Sequence, residues 1–502
     1  MKRPNNSDRR TTAPATRTHA TRGIVVLGAL WLGACANTGD VAPRATLVDP
    51  VKVADGLATS SSRTAWPRDN WWTGWQDPQL DALVADAIAD SPAIRIAQAR
   101  IDRSVELVRI AGASRYPVAS ANGDFSRARF ARFASPSPPG GNTVRNNSVG
   151  ADLSYTLDLW GKHRAEREGT LDSAFAADAD AREARLALET AVVRTYIMFA
   201  KAFDQRDVTL ATLKRQQSIV DIIERRSRAG LASRFEVKQA GTPVAATRAQ
   251  IEEFDRQLAV LRNELAVLTG RGPTAGWPLS RPALRLDVSA TLPANLPAEL
   301  VGRRPDIVAA RWRVEAASTS IQIAKADFYP NIDLIASAGL ASAAFGGFFT
   351  FVNNDAMTHR FGAAISLPIF DGGLRQGRYG VAVADYDLAV ETYNQAVLTA
   401  FREVANQVVS LQSLARQQVD IENSVDSAQS AFDFAAQGYR AGLTDYLNVL
   451  STQTELLQAQ QGLASLRAAR LDAWAQLMMA LGGGVESTGD ATRVPSGGPD
   501  VR

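Results

Sequence analysis

Residues 359–370 read HRFGAAISLPIF, and residues 147–158 read NSVGADLSYTLD. In the first, Phe361, Ala363, Ile365, Leu367 and Ile369 alternate with Arg360, Gly362, Ala364 and Ser366. In the second, Val149, Ala151, Leu153, Tyr155 and Leu157 alternate with Ser148, Gly150, Asp152, Ser154 and Thr156. A period of two describes a strand with one apolar face. Segments 118–130 and 331–341 alternate more loosely, with Ile332, Leu334, Ala336 and Ala338 clearest. All four approach the roughly 9–11 residues that a tilted strand needs to cross a bilayer. The connecting residues, Pro136 to Asn142 in one pair and Gly346-Gly347 with Asn353-Asn354 in the other, suit exposed hairpin loops. Alternation equally describes hairpins half-buried on soluble helices, so the surrounding chain has to decide.

The surrounding chain is helical and long. No proline interrupts the stretch from Trp160 to Arg228, where Leu186, Val193, Tyr196, Ala200, Phe203 and Leu210 keep steps of three, four or seven residues. Later, Val390, Val397, Val404 and Leu411 fall at strict sevens. At about 1.5 Å per residue such helices reach about 100 Å. That length means coiled coil or membrane, and these segments are too charged for a membrane. A large soluble bundle is the competing reading.

The chain also repeats itself. Ser91-Pro92 matches Arg304-Pro305 and Tyr116-Pro117 matches Tyr329-Pro330, both at an offset of 213. Arg228-Ala229-Gly230-Leu231 matches Arg440-Ala441-Gly442-Leu443, and Gly270 matches Gly482, at 212. This predicts two units, 77–270 and 298–482, each of helix, two strands, long helix and helix, joined by a Pro-rich linker over 271–297. An N-terminal segment over 35–76 and a tail over 483–502 flank them. The period far exceeds that of solenoid repeats.

The 502 residues are 46% hydrophobic and 21% charged, an ordinary globular balance. One Cys excludes an internal disulfide or a cysteine zinc cluster, and three scattered His disfavour a metal site. Residues 1–34 hold six Lys/Arg and one Asp, so they take five of the net charge of +3 with them and leave −2. Nucleic-acid binding thereby loses its support. Polar, basic residues 1–22, the apolar run 23–32 and the small residues before Cys35 predict a secretory signal over 1–34. Leu32-Gly33-Ala34-Cys35 resembles a bacterial lipobox, which implies cleavage before Cys35 and lipid on its sulfur. An ordinary signal peptide is the alternative. Ala36, not Asp, follows the cysteine, which by the same resemblance implies outer-membrane retention.

Strands in lipid must close into a barrel, and four per chain are too few. Two chains give eight strands, whose interior side chains fill. Twelve strands from three chains leave a channel. Leu153 and Ile365 then face lipid, and Asp152 and Ser366 the lumen.

These features resemble the TolC-like outer-membrane factors, in particular their lipoprotein branch serving RND-type efflux pumps. The most specific segment is 300–330, LVGRRPDIVAARWRVEAASTSIQIAKADFYP, joined by Asn70-Trp71-Trp72, Asp77-Pro78-Gln79-Leu80 and Ser366-Leu367-Pro368-Ile369-Phe370-Asp371-Gly372-Gly373. The resemblance implies a homotrimer that combines a 12-strand membrane β-barrel with a periplasmic α-helical coiled-coil tunnel. It implies a periplasmic adaptor and an inner-membrane RND-type transporter as partners. It places adaptor contacts at Arg228, Ala229, Gly230, Leu231, Arg440, Ala441, Gly442 and Leu443. The family's gate tyrosine matches Tyr439, while positions often acidic in the family are Asn448 and Ser451 here, with Asp445 nearby. Trp71, Trp72 and Trp75 are expected to anchor the N-terminal segment by packing rather than to form a sugar platform or membrane belt.

No Walker loop, nucleophile elbow, HExxH or dinucleotide fingerprint occurs, so no enzyme and no cofactor beyond the lipid on Cys35 is expected. The leading expectation is a passive outer-membrane conduit for small molecules or drugs. The alternative is a channel for type I protein secretion.

Overall fold

The computed structural model describes residues 41–53, 66–133, 140–276, 278–285, 296–344 and 354–484. The predicted signal, Cys35, most of the Pro136–Asn142 loop, Gly346-Gly347, Asn353 and residues 485–502 lie outside them.

Two series of elements follow one another. The first is α1 (Pro78–Asp90), α2 (Pro92–Ala113), β1 (Val118–Arg129), β2 (Thr143–Thr156), α3 (Lys162–Arg228) and α4 (Arg234–Leu268). The second is α5 (Leu296–Arg303), α6 (Pro305–Ala326), β3 (Asn331–Ala344), β4 (Met357–Ser366), α7 (Leu374–Ala441) and α8 (Tyr446–Ala480). The long helices have 67 and 68 residues, and the helices after them 35 each.

Several boundaries differ from the sequence reading. The single helix expected at the start of the first repeat breaks at Ser91, whose ψ of 132° is extended. Pro92 disfavours the α conformation in the residue before it. The last strand stops at Ser366 rather than at Phe370, because Pro368 has no N–H for the ladder. β2 starts at Thr143, earlier than the clean alternation.

Contacts divide the chain into two units. One holds the sheet with the helix ends that flank it, residues 107–171 and 315–388. Its strands run antiparallel in the order β1-β2-β3-β4. The register aligns Leu153 with Ala119 and Ala336, and Ala336 with Phe361. One face thus carries Val149, Leu153, Tyr155, Leu334, Phe361 and Ile365, and the other Ser120, Asp152, Asp333, Ser337 and Arg360. Among the described residues the large apolar side chains of that face lie open: Phe361 is 77% exposed and Ile365 70%.

Gly150 lies directly opposite Gly339. A Cβ on Gly339 would come within 2.6 Å of the Val149 carbonyl oxygen, whereas one on Gly362 meets nothing within 4 Å. Gly339→Val is expected to cost about 1–3 kcal/mol through overpacking, and Gly362→Val far less. Fraction of oligomer surviving a denaturant series compares the two.

The other unit holds residues 45–106, 172–314 and 389 onward. The hydroxyl of Tyr196, fully buried, donates to Asp77 Oδ2 at 2.9 Å. Asp77 also caps α1, accepting from the Gln79 and Leu80 N–H groups. That explains the Asp77-Pro78-Gln79 opening: an N-cap followed by proline at the first helical position. Trp71, Trp72 and Trp75 are buried in a 3₁₀ turn. Trp71 and Trp75 stand 5.5 and 5.4 Å from Trp474 of α8. They pack the N-terminal segment onto the helices, as expected.

Arg304 gives the Arg-Arg-Pro-Asp segment its structural meaning. Its guanidinium grips Asp306 at 2.7 and 3.0 Å, Glu403 of α7 at 2.8 Å and the Ala480 carbonyl at 3.2 Å. Burial opposes its charge, but Asp306 and Glu403 more than offset that, so its pKa rises.

Candidate functional site

Both Arg-Ala-Gly-Leu segments close long helices in the same way. Gly230 and Gly442 each have φ of 76°. The Gly230 N–H donates to the Ser227 carbonyl (3.0 Å) and the Leu231 N–H to the Arg226 carbonyl (2.8 Å). Gly442 to Tyr439 (3.1 Å) and Leu443 to Gly438 (2.8 Å) repeat the pattern. These paired bonds are a Schellman motif, which uses a left-handed residue to satisfy the final carbonyls of a helix. Arg228 and Arg440 lie in the last turns, where a cation suits the helix dipole.

The turns leave apolar side chains in solvent. Leu231 is 70% exposed and Leu443 84%, and Arg228, Ala229, Arg440 and Ala441 are exposed as well. Phe235 and Leu447 extend the apolar surface one turn into the following helices. Sequence reading missed both, because neither belongs to the repeated tetrapeptide.

The helices after the turns start differently. Ser233 and Glu236 form a reciprocal capping box at α4. Asp445 caps α8 instead, accepting the Asn448 N–H at 3.1 Å. Asn448 Nδ2 donates to Thr444 Oγ1, and the Ser451 hydroxyl to Glu455. Asp445, Asn448 and Ser451 are exposed, each with one side-chain polar atom engaged in these local bonds.

Tyr439 does not present its ring to solvent. It is 4% exposed, packed with Ile219, Ile223, Phe432, Tyr446 and Val449. Burial pushes its phenol pKa up, against the pull of Arg226. The Arg226 guanidinium lies 5.0 Å over the ring and donates to the Tyr439 carbonyl at 3.1 Å. That carbonyl also accepts from Gly442, and the Arg226 carbonyl from Leu231, so one residue braces both turns. Heptad phase does not show this, because it depends on how α3 and α7 meet.

A sheet with a bare apolar face, carried by a chain of paired long helices, defines a subunit of a membrane-spanning channel. The sequence model of the outer membrane efflux proteins matches residues 83–271 and 296–483. The chain belongs to this family. It is 34% identical to the fusaric acid resistance protein FusA of Burkholderia cepacia, over 95% of this chain and 91% of that protein. It is 31% identical to the pyoverdine export outer membrane protein OpmQ of Pseudomonas aeruginosa, over 92% of this chain and 97% of that one. Among solved structures it resembles the outer membrane protein VceC of Vibrio cholerae with a TM-score of 0.77, at 31% identity over 84% of this chain and all of that one. The outer-membrane channel OprN follows with 0.76, at 26% identity over 89% of this chain and 98% of that one.

Proposed function

We propose that three copies of the chain form the outer-membrane conduit of a tripartite efflux pump, with a periplasmic adaptor and an inner-membrane RND-type transporter. The uncovered four-stranded sheet carries this reading. Its outer strands β1 and β4 each keep an unpaired edge, and hydrocarbon offers no water to satisfy one. Three sheets close twelve strands and bury every edge. Relatives named for fusaric acid resistance, pyoverdine export and solvent efflux favour small organic cargo over secreted protein. The chain contributes no chemistry of its own; the transporter supplies the energy.

Adaptor docking is assigned to the exposed Arg-Ala-Gly-Leu turns, and pore closure to the α7–α8 turn with Tyr439, Asp445, Asn448 and Ser451. Tyr439 serves closure from within the core, by holding that turn against Arg226. A residue with a Cβ disfavours the left-handed region by about 1–2 kcal/mol. Gly230→Val and Gly442→Val are therefore expected to assemble normally yet lose cross-linking to a co-expressed adaptor and lose efflux. Gly442→Val should in addition leak. If both variants keep full cross-linking and efflux, the turns only connect helices.

Cys35 is assigned the lipid anchor. Radioactive palmitate should label the wild type and not Cys35→Ser, and the barrel should hold that variant in the outer membrane. Label persisting in Cys35→Ser removes the assignment.

A further inference from the structure

At the hairpin end of the sheet, Arg127 stands directly opposite Arg145. Like charges in that position destabilise a strand pair. Arg129 is two residues further along the same face of β1, and Arg132 follows in the turn. Residues 125–151 contain these four arginines and no Asp or Glu. Among the described residues none of the four has an ion pair. Asp355 precedes β4, two strands from β2 within the chain and next to β1 of a neighbouring copy once the barrel closes, and one carboxylate against four arginines per chain still leaves this rim positive.

Register places the cluster on the apolar face. The exposed Arg127 and Arg129 and the half-buried Arg145 share it with Phe125, the buried Asn147, Val149 and Leu153. Depth follows from the ladder. Ile332, paired with Ile365, is the lowest rung of the ladder on that face, and Arg145 pairs with Ala344, twelve residues further along β3. At about 3.3 Å per residue and a tilt of about 40°, this is a climb of about 30 Å, against an apolar band about 25 Å tall. The guanidinium groups thus sit just above the hydrocarbon, on the side away from the helices.

We propose that Arg127, Arg129 and Arg145 form a binding site for the phosphates of an outer-leaflet glycolipid headgroup of the lipid A class. Guanidinium forks bind phosphate in a bidentate manner, and a shared phosphate removes the repulsion across the Arg127–Arg145 pair. Phe125, exposed just below them, offers apolar surface to the acyl chains. The site rests on the barrel reading above.

The test uses the purified oligomer in neutral detergent, with occupancy read by native mass spectrometry. It is titrated with bis-phosphorylated lipid A, the same glycolipid after phosphatase treatment, phosphatidylglycerol, and inorganic phosphate. Lipid A is expected to bind best, and removing its phosphates to weaken binding at least tenfold. R127Q/R145Q should show a similar loss, and R127K/R145K an intermediate one. Equal binding before and after dephosphorylation, undiminished binding by R127Q/R145Q, or phosphatidylglycerol or phosphate bound as tightly as lipid A overturns the site. The dephosphorylation arm needs no variant, so poor assembly of R127Q/R145Q does not rescue the idea. A failed barrel reading shows earlier and separately, as wild-type chain absent from the outer membrane.

Discussion

Arg304→Met is expected to cost about 3 kcal/mol, the lower end of the range for breaking a buried ion pair by removing one partner. The lower end applies because the Asp306 and Glu403 side chains remain 26% and 41% exposed. Arg304 joins the start of α6, the middle of α7 and the last residue of α8. Its loss strips the guanidinium from Glu403 and the Ala480 carbonyl and leaves Asp306 only the Ile307 N–H. Arg304→Lys should fall between, since an ammonium keeps the charge but not the fork. Its counterpart in the first repeat, Ser91, only accepts the Ala93 N–H at 3.3 Å. Ser91→Ala is expected to cost about 1 kcal/mol, the value of a capping side chain. Chemical denaturation of the three variants in detergent, followed by helical circular dichroism, gives the order. If Arg304→Met unfolds no earlier than Ser91→Ala, the arginine fork is ornament.

The second repeat therefore carries a charge network where the first makes a plain turn. A similar division separates what was legible in the sequence from what was not. Local rules revealed the long helices through heptad spacing and the strands through alternation, and the repeat singled out the tetrapeptides around Gly230 and Gly442. Both local rules depend on residues a few positions apart. Trp474 as partner of the N-terminal tryptophans, Glu403 as partner of Arg304, and the approach of Gly339 to Val149 join distant parts of the chain. No local period encodes them. Tyr439 lies between the two cases: its place beside a turn was readable, but the burial of its ring depends on α3 packing against it.

Depth along the sheet could not be read either, because alternation assigns a face but not a height. The register supplies the height, and with it the largest effect expected in the barrel. Leu153 aligns with Ala336 and Phe361, four residues further along β3 than Ile332, whereas Ile365 pairs with Ile332 at the lowest rung of that face. An arginine near the bilayer midplane costs about 2–4 kcal/mol, falling to about 0–1 near the interface. Leu153→Arg should consequently abolish most assembled oligomer, and Ile365→Arg only a minor part, although both side chains face lipid. Asp152→Arg, one residue away on the lumen face, should assemble close to normally, since that face meets water. Quantifying heat-resistant oligomer in outer-membrane fractions ranks the three. Equal losses at Leu153 and Asp152 contradict the face assignment. A loss at Ile365 as large as that at Leu153 contradicts the depth, and with it the height inferred for the arginines at the rim.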